Sequence, residues 1–393
     1  MTDSVLVVGA SVAGVGAADE LRRCGFSGSI TLVDGQAHLP YDRPPLSKAA
    51  LQAEPALPDL QFHDGDHYAR LNIELKLGTA AQRLDPDTRS VLLESGERLS
   101  ADRIIIATGA RARPFPAGRC ADMVHTLRDL DDAARLRALL QPGKRLAVIG
   151  GGFIGAEVAS SARNLGMEVV VIEAAPLPFE RIFGHEIAAR VAALHAEAGV
   201  ELKCGVAVDR IEEFGCGHQV MLGDDRRIEA DIVVAGLGSV PNVEWLLSSG
   251  ISLSNGVICD DRGQTGTPGV FAAGDAAAWL DPFSRRHVRH EHWTAAREQA
   301  RIVAQSIVGE IETPWHSFVP YFWSDLYGVR IQMLGTVADA DDIQIVHQDT
   351  GKRAFVAEYH KAGNLVGVVG CNAGAKTMRY GAKLTRSAVG SDG

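Results

Sequence analysis

Three glycines with the spacing G-x-G-x-x-G carry the clearest chemical signal in the chain. Gly150, Gly152 and Gly155 follow the apolar run 146–149 and open a segment with helical character. In such a turn the first glycine permits a sharp change of direction, the second lets backbone N–H groups approach a pyrophosphate, and the third lets the helix pack closely on the strand. The phosphates then lie at a helix N-terminus, where unpaired N–H groups and the helix dipole favour negative charge. The pattern predicts an adenine dinucleotide site.

An acidic residue follows where such a site requires one. Glu173 comes directly after the apolar segment 168–172, where it can accept hydrogen bonds from ribose hydroxyls. The same unit closes at residues 231–238, a second apolar run that ends in glycines. The residues predicted to hold this nucleotide are Gly150, Gly152, Phe153, Ile154, Gly155, Glu173, Gly236 and Gly238.

The N-terminal end of the chain repeats this pattern. Its predicted cofactor-binding residues are Gly9, Ser11, Ala13, Gly14 and Asp34. Ser11 stands where the second glycine is expected, which narrows the approach of a phosphate without forbidding it. Two dinucleotide units in one chain imply two nucleotides, and the usual reason to hold two is to pass a hydride between their redox rings. We therefore expect a flavin site and a nicotinamide site.

Two further segments could approach a cofactor. The loop 41–48 contains two prolines that keep it out of the helical region until Leu46, and a rigid loop of this kind would hold Arg43 and Lys48 against a bound cofactor. An ordinary surface loop fits the same residues equally well. The apolar run 103–106 ends in Ala107, Thr108 and Gly109, small residues that let the backbone pass close to a nucleotide.

The segment 270–275 predicts a strand that delivers Gly274 and Asp275 to a helix start. There Asp275 would bond a cofactor hydroxyl while the helix N-terminus faces phosphate, and a simple N-cap is the alternative. Trp293, which begins the helix predicted over Trp293–Val308, is also counted among the cofactor-binding residues. The histidine-rich run 287–292 invites a metal interpretation, but interleaved Arg289 and Glu291 complete no ligand set, and no metal site is predicted.

Length, net charge and cysteine content limit the remaining possibilities for domain number, partners and location. At 393 residues the chain exceeds what one core usually organises, so two or three domains are expected. A net charge of −10 argues against general affinity for nucleic acid. The six cysteines are scattered without a C-x-x-C pair and are interpreted as reduced structural thiols. With neither a signal segment nor an apolar run of membrane-spanning length, a cytoplasmic, membrane-free protein is expected.

These elements predict an α/β protein with two Rossmann-like dinucleotide-binding domains and a small C-terminal α+β domain. The second dinucleotide unit is inserted into the first, so that the first domain comprises residues 1–115 and 241–314, the second 116–240, and the tail 315–393. Residues 51–100 are expected to form peripheral β structure, and residues 127–140 a helix. The tail is rich in aromatic residues near its start, and its last eighteen residues are net positive.

With these motifs in place, the chain resembles the FAD-containing, NADH-dependent ferredoxin reductases that serve Rieske oxygenases and bacterial cytochromes P450, within the glutathione-reductase-like fold. The resemblance is nearly full length, and its specific parts are residues 41–48, 107–110, 150–157, 270–275 and 320–325. It implies that Lys48 and Glu157 form an ion pair beside the flavin N5. It also implies that Trp323 shields the flavin or lies on the electron path, and that hydride passes from NADH to FAD before single electrons pass to a [2Fe-2S] ferredoxin.

The resemblance leaves the coenzyme and the docking face open. Glu173 would repel a 2′-phosphate and favours NADH, although Arg181 could reach back and admit NADPH. An acidic ferredoxin needs a local positive face on this acidic protein. The residues expected to supply it are Arg285, Arg286, Arg289, Arg330 and the basic tail of Lys376, Arg379, Lys383 and Arg386. Both a monomer and a homodimer are compatible with the sequence.

Two rival functions share the fold. Flavin-dependent NADH oxidases, peroxidases and disulfide reductases of this type use redox cysteines, whereas this chain has Lys48 after Leu46-Ser47, and Cys24 stands alone at the end of the first predicted helix. A redox-signalling flavoprotein resembling apoptosis-inducing factor would call for a broadly basic surface, contrary to the charge of −10.

Overall fold

The computed structural model describes residues 3–52, 57–116, 123–281, 286–309 and 311–384. The α-helices are α1 (Val12–Arg23), α2 (Ala49–Gln52), α3 (Gly65–Arg70), α4 (Leu130–Leu139), α5 (Phe153–Asn164), α6 (Glu180–Glu197), α7 (Trp293–Val308) and α8 (Gly374–Met378). Among these residues, none of the helices is long and apolar enough to cross a membrane.

The strands are short and numerous. In chain order they are β1 (Ser4–Val8), β2 (Ser29–Asp34), β3 (Ile73–Leu77), β4 (Ala81–Asp85), β5 (Ser90–Leu93), β6 (Arg98–Ser100), β7 (Arg103–Ile106), β8 (Ala110–Ala112), β9 (Arg145–Ile149), β10 (Glu168–Glu173), β11 (Glu201–Cys204), β12 (Val208–Phe214), β13 (Gly217–Leu222), β14 (Arg227–Ala230), β15 (Ile232–Ala235), β16 (Ser239–Pro241), β17 (Leu253–Ser254), β18 (Gly256–Cys259), β19 (Val270–Ala272), β20 (Ala277–Leu280), β21 (His287–Val288), β22 (Tyr321–Leu326), β23 (Val329–Gly335), β24 (Asp342–Asp349), β25 (Ala354–Lys361) and β26 (Asn364–Cys371).

The first dinucleotide unit is built on a five-stranded sheet in the order β19-β7-β1-β2-β3. Neighbouring strands are parallel throughout. Its central strand β1 reads as a continuous apolar run because it is covered on both faces, as expected for a parallel sheet. Within residues 51–100, which were expected to form peripheral β structure, residues 73–77 are β3, the edge strand of the main sheet, whereas α3 is helical instead. Residues 90–93 do belong to a separate antiparallel sheet of β4, β5 and β6.

The second unit has a four-stranded parallel sheet in the order β11-β10-β9-β15. Helix α6 follows β10 and is kinked where Gly184 adopts a φ of +70°. Strand β11 follows α6, and α4 begins three residues later than the helix expected from residue 127. This later start of α4 leaves the order of elements unchanged.

The chain passes between the two units twice, and these crossings lie side by side. Strand β8 on the way out pairs antiparallel with β16 on the way back. After β16, β19 returns to the first sheet beside β7, so the first unit is discontinuous and the second is inserted into it, as predicted from the sequence. The numerical domain boundaries given above remain predictions.

The helix start expected after Gly274 and Asp275 was a wrong prediction. These residues form a single 3₁₀ turn, Gly274–Ala276, and the chain continues directly into β20. The helix N-terminus that lies beside this turn belongs to α7, and the amide oxygen of Gln299 on α7 accepts the Gly274 N–H at 2.8 Å. The prediction that a helix N-terminus lies near Gly274 and Asp275 was therefore correct, but the helix is α7 and not the segment that follows Asp275.

The tail forms the small α+β domain expected of it. Its antiparallel sheet has the order β22-β23-β26-β25-β24, with α8 packed beside β23 and β26. One face of the sheet forms a common core with α6, in which Phe183 and Leu326 are fully buried. Removing such a side chain as Phe183 would cost about 3–5 kcal/mol, so this core fixes the tail against the second unit. It also sets β22 beside α5, where the tail reaches the functional site.

Candidate active site

One cleft collects most of the predicted cofactor-binding residues. It contains about 1250 Å³ of space between protein atoms, part of it open to solvent. Residues from the first unit, the start of α5, the start of α7 and strand β22 line it together. The predicted residues that line the cleft are Ser11, Ala13, Asp34, Arg43, Lys48, Ala107, Thr108, Gly109, Phe153, Ile154, Glu157, Gly274, Asp275, Trp293 and Trp323.

The N-terminus of α1 opens into this cleft. Ser11 is its N-cap residue but makes no side-chain cap, and the first turn carries no acidic residue, so backbone N–H groups there remain available to an anion. Gly9 has a φ of +112°, and a Cβ on it would lie 2.1 Å from the Ala107 carbonyl oxygen. The Asp34 carboxylate accepts the Ala10 N–H at 2.6 Å and thereby fixes the turn. Gly14 packs the helix against Gly9, where a Cβ would lie 1.8 Å from its oxygen.

The second glycine turn repeats this geometry at α5. Gly150 has a φ of +99°, and a Cβ on it would lie 2.5 Å from the Gly236 carbonyl oxygen. Gly155 is packed tightly against Gly150, whereas an added Cβ on Gly152 or Gly238 would meet nothing within 4 Å. Gly152 is the N-cap of α5 without a side-chain cap, and the first turn has no acid. The cradle at Gly152 is therefore open to a phosphate.

Glu173 occupies the same place in the second unit as Asp34 in the first. Its two carboxylate oxygens accept the N–H groups of Gly151 at 2.7 Å and Ala175 at 2.8 Å. Each oxygen of a carboxylate has two acceptor positions, so these bonds leave capacity for ribose hydroxyls. The acid thus orders the glycine turn that it flanks.

A buried carboxylate lies where the three parts of the chain meet. Glu157 on α5 is 4% exposed. Its Oε1 lies 2.8 Å from the Lys48 ammonium and accepts the Ser324 hydroxyl at 2.6 Å, and its Oε2 accepts the Ser47 hydroxyl. The ion pair implied by the resemblance is therefore present. Lys48 also donates to the Pro44 carbonyl oxygen at 3.2 Å, which holds its ammonium at the cleft wall.

A second ionic group lies on another part of the cleft wall. Arg128 pairs with Asp275 at 2.8 Å and donates to the Ala110 carbonyl oxygen at 2.7 Å. Arg43 donates to the Arg128 carbonyl oxygen at 2.7 Å and to Ser11 Oγ at 3.3 Å. Burial lowers the pKa of the Arg43 guanidinium, which nevertheless stays cationic at any physiological pH. The charge of Arg128 is balanced by Asp275, so Arg43 is the group that supplies positive charge near the first phosphate cradle.

Aromatic rings close the cleft on the side of the tail domain. Trp323 stacks on Tyr321 with ring centroids 5.8 Å apart and meets Trp293 edge-on at 6.1 Å. Trp293 Nε1–H donates to Asp42 at 2.8 Å. Burial raises the pKa of Asp42, and this hydrogen bond opposes that shift. Phe322 packs against Phe153 at 4.3 Å.

Several lining residues were missed by sequence reasoning. Ser47 lay inside a predicted segment and was overlooked because serine is common in turns. Arg128 has no local signal, since it lies just before the N-cap of α4 and becomes a site residue only through packing. The lining residues that were not individually predicted as site residues are Val12, Asp42, Pro44, Leu46, Ser47, Ala110, Leu127, Arg128, Glu291, Ala296, Tyr321 and Phe322.

The histidines of residues 287–292 do not converge on one point. His290 and His292 are half-buried side chains whose rings lie 6.2 Å apart, and they pack against Trp315 and Phe322 respectively. Burial lowers the pKa of His292 to about 4, so its imidazole is neutral at physiological pH.

The expected positive docking face is only partly supported. Arg289 was wrongly placed on it, because its side chain is 8% exposed and is bound to Glu291. Arg330 is exposed but forms a two-point ion pair with Asp325, at 2.7 and 3.0 Å. Arg286 is exposed, while Arg285 and Arg386 lie outside the described residues. In the tail, Lys376, Arg379 and Lys383 are described, and Lys383 lies over the Tyr380 ring.

The cleft and the glycine turn at the start of α5 together have the donor set that two nucleotides, one with a redox ring in the cleft, require. Two uncapped helix N-termini supply N–H donors for phosphates, two acids flank them, and an apolar and aromatic wall faces a buried ion pair. Such a combination suits a flavin nucleotide in the first unit and a nicotinamide nucleotide in the second.

Comparison with known proteins agrees with this geometry. The family model "Pyridine nucleotide-disulphide oxidoreductase" matches residues 3–300, and "Reductase C-terminal" matches residues 321–389. The chain is 36% identical over 348 residues to putidaredoxin reductase of Pseudomonas putida, covering 87% of this chain and 82% of that protein. The chain belongs to the ferredoxin reductase family. It is thus an oxidoreductase, an electron-transfer flavoprotein with a flavin and NAD as cofactors.

Two further relatives extend the comparison. The ferredoxin–NAD(+) reductase component of the biphenyl dioxygenase system of Paraburkholderia xenovorans (strain LB400) is 37% identical over 349 residues, covering 88% of this chain and 84% of that protein. The crystal structure of the covalent putidaredoxin reductase–putidaredoxin complex superposes with a TM-score of 0.93 at 33% identity, covering 98% of this chain and 93% of that chain. The fold class predicted for the ferredoxin reductase is confirmed, including its tail domain.

Proposed function

We propose that this ferredoxin reductase binds FAD in the first unit and NADH in the second, and reduces a [2Fe-2S] ferredoxin that serves an oxygenase or a cytochrome P450. When bound, the flavin supplies the conversion of a two-electron hydride donor into single electrons. The observation that carries the proposal is that one cleft is lined by an uncapped helix N-terminus, two guanidinium groups and the Lys48–Glu157 pair.

The residues have separable roles in this proposal. Ser11 and the α1 N-terminus bind phosphate, Asp34 takes ribose hydroxyls, and Arg43 adds positive charge beside the same cradle. Lys48 is the cation held toward the redox ring, since its ammonium is fixed by Glu157 at 2.8 Å and by the Pro44 carbonyl oxygen at 3.2 Å. A fixed cation of this kind favours any negative charge that develops nearby, without transferring a proton itself.

Trp323 and Trp293 exclude water from the cleft on the tail side. Because Trp323 stacks on Tyr321 and meets Trp293 edge-on, its ring is held in place from two directions. We propose that Trp323 shields the redox ring, and that electrons leave the protein on this side. The five described cysteines that are free thiols fit a reducing compartment, and we propose the cytoplasm as the location.

The primary test is a visible spectrum of the purified protein followed by anaerobic titration. Flavin bands that bleach on addition of NADH, and rapid reduction of an added [2Fe-2S] ferredoxin, are the expected result. A colourless protein that takes up no FAD would overturn the assignment of the first unit. Bleaching by NADH with slow transfer to every ferredoxin tried would instead favour a redox-signalling flavoprotein.

Coenzyme choice can be tested at Ala174, which follows Glu173. Glu173 lies where a 2′-phosphate would bring a second negative charge, so NADH is the proposed coenzyme. Replacing Ala174 with arginine should raise kcat/KM for NADPH by about tenfold or more, because a guanidinium pairs with phosphate in two-point geometry. The NADH value should change by only a few-fold. An unchanged NADPH value would place the adenosine ribose elsewhere.

Docking of the ferredoxin can be tested at the exposed Arg286. Reversing its charge by Arg286→Glu should raise the KM for ferredoxin and make this KM rise less steeply with salt concentration, while NADH–ferricyanide activity stays unchanged. Arg98→Glu, on the antiparallel sheet of β4, β5 and β6, is the matched control. Equal effects of both substitutions, or loss of both activities with Arg286→Glu, would remove Arg286 from the docking face.

A further inference from the structure

Three potential metal ligands meet on the first unit away from the cleft. Asp19 lies on α1, His63 lies just before the N-cap of α3, and His67 lies in the first turn of α3. Their ligand atoms are all within 4.8 Å of one another. None of the three lines the cleft, so they belong to neither nucleotide site. The cluster therefore calls for an explanation of its own.

The geometry of the cluster is specific. His63 Nε2 lies 2.9 Å from Asp19 Oδ2, and His67 Nε2 lies 3.0 Å from Asp19 Oδ1. The two imidazole rings stack with centroids 3.6 Å apart and an interplanar angle of 13°. Both rings therefore direct the same nitrogen at the same carboxylate, one at each oxygen.

The surroundings hold these rings in position. Asp64 caps α3 by accepting the His67 N–H at 2.8 Å, which fixes the turn that carries His67. The buried Tyr68 ring meets both imidazoles edge-on, at 6.0 Å from His63 and 5.5 Å from His67. The three side chains of the cluster are between 23% and 33% exposed, so water and ions can still reach them. A preorganised and accessible ligand set is what a metal site requires.

We propose that Asp19, His63 and His67 bind a divalent transition-metal ion of the Zn²⁺ class. Two imidazole nitrogens and a carboxylate oxygen suit such an ion, whereas Ca²⁺ and Mg²⁺ prefer oxygen ligands throughout. Ligand atoms about 2.0–2.2 Å from one ion lie roughly 3 Å or slightly more from each other. The observed nitrogen–oxygen separations of 2.9 and 3.0 Å need only a small adjustment to reach that value. Water would complete the coordination.

Such an ion would tie α1 to α3. The N-terminus of α1 forms the first phosphate cradle, and Asp19 lies about two turns further along the same helix. Bound metal would therefore stabilise the first unit without contacting the cleft.

The test uses the complete flavoprotein stripped with EDTA and titrated with Zn²⁺ alone, by calorimetry at pH 7.5. We expect one strong site whose occupation raises Tm by roughly 3 °C. The variants His63→Gln, His67→Gln and Asp19→Asn should each weaken this site by at least about tenfold. Glutamine keeps an N–H that can donate to Asp19 but is a poor ligand for transition metals, so the fold is preserved.

The control is His185→Gln, because His185 lies 2.8 Å from the single carboxylate of Glu180 and has no second imidazole. Its variant should bind Zn²⁺ as the parent does. Undiminished Zn²⁺ binding in His63→Gln and Asp19→Asn, with unchanged circular dichroism, would overturn the proposal. Absence of any strong site in the parent at pH 7.5 would overturn it as well.

Discussion

The Lys48–Glu157 pair allows the proposed role of the cleft to be tested quantitatively. In Glu157→Gln the shape is kept but the charge is lost. The hydroxyls of Ser47 and Ser324 then bond a neutral amide, which weakens each hydrogen bond by about 1 kcal/mol. Lys48, which is 21% exposed, loses its partner at a further cost of about 1 kcal/mol. The free energy of unfolding should therefore fall by about 3 kcal/mol.

A double-mutant cycle with Lys48→Met separates the pair from its surroundings. Because the two side chains are in contact, the double variant should be less destabilised than the sum of the single variants by about 1–2 kcal/mol, measured by urea denaturation. Stopped-flow reduction of the flavin by NADH should slow by about a hundredfold in Lys48→Met, since a fixed cation is lost.

The matched control is the Arg301–Glu298 pair on α7, whose side chains are 21% and 22% exposed and which lies outside the cleft lining. Removing it should affect stability but leave flavin reduction unchanged. Two results would refute the reasoning about this pair: losses of unfolding free energy in the Lys48 and Glu157 variants that add to within about 0.5 kcal/mol, and a rate of flavin reduction by NADH equal to that of the parent protein.

Three further predictions concern buried and altered groups. Burial lowers the pKa of His195 to about 4, so the unfolded chain takes up its proton first and stability is lost as the pH falls from about 6.5 towards 4. Between pH 7 and pH 5 this amounts to about 2 kcal/mol, which His195→Gln should abolish in urea titrations while His185→Gln should not. Burial raises the pKa of Cys371 to about 12, so at pH 8 a disulfide reagent should label the exposed Cys216 and leave Cys371 unlabelled in the folded protein, as peptide mass spectrometry would show. Ser11→Gly should leave FAD affinity of the apoprotein within a few-fold of the parent, whereas Ser11→Val should weaken it by about tenfold, because branched bulk closes the α1 cradle.

The repeated parts of the fold were predictable from the sequence because each is specified locally. An apolar run, a glycine turn and a following acid define the strand, the cradle and its anchor within about thirty residues. Gly150 and Glu173 therefore appear where expected, and so do Gly9 and Asp34. The order of elements also followed, because each unit is a separate series of strands and turns along the chain, and β19 pairs with β7 of the first sheet as the insertion predicts.

Features that depend on contacts between distant segments were not predictable. Arg128 pairs with Asp275, which is 147 positions further along the chain, and neither residue carries a local signal for the other. The same holds for Ser324, whose hydroxyl reaches Glu157 across 167 positions. The wrong prediction of a helix start after Asp275 has a similar cause. The helix N-terminus that lies beside Asp275 belongs to α7, which begins at Trp293, further along the chain. Arg289 was likewise expected on an exposed basic docking face because it is charged, but its side chain is buried by packing and paired with Glu291.

Glu157 shows why the tail domain belongs to the site. Its carboxylate on α5 accepts one hydroxyl from the loop of the first unit, Ser47, and one from β22 of the tail, Ser324. It also pairs with Lys48, so both carboxylate oxygens have partners within the protein. A buried carboxylate that lost one of these partners would be left partly uncompensated, at a cost of several kcal/mol. The two dinucleotide units and the tail therefore cannot shift independently around the cleft. The spacing between the two phosphate cradles is consequently set by the folded chain before either nucleotide binds.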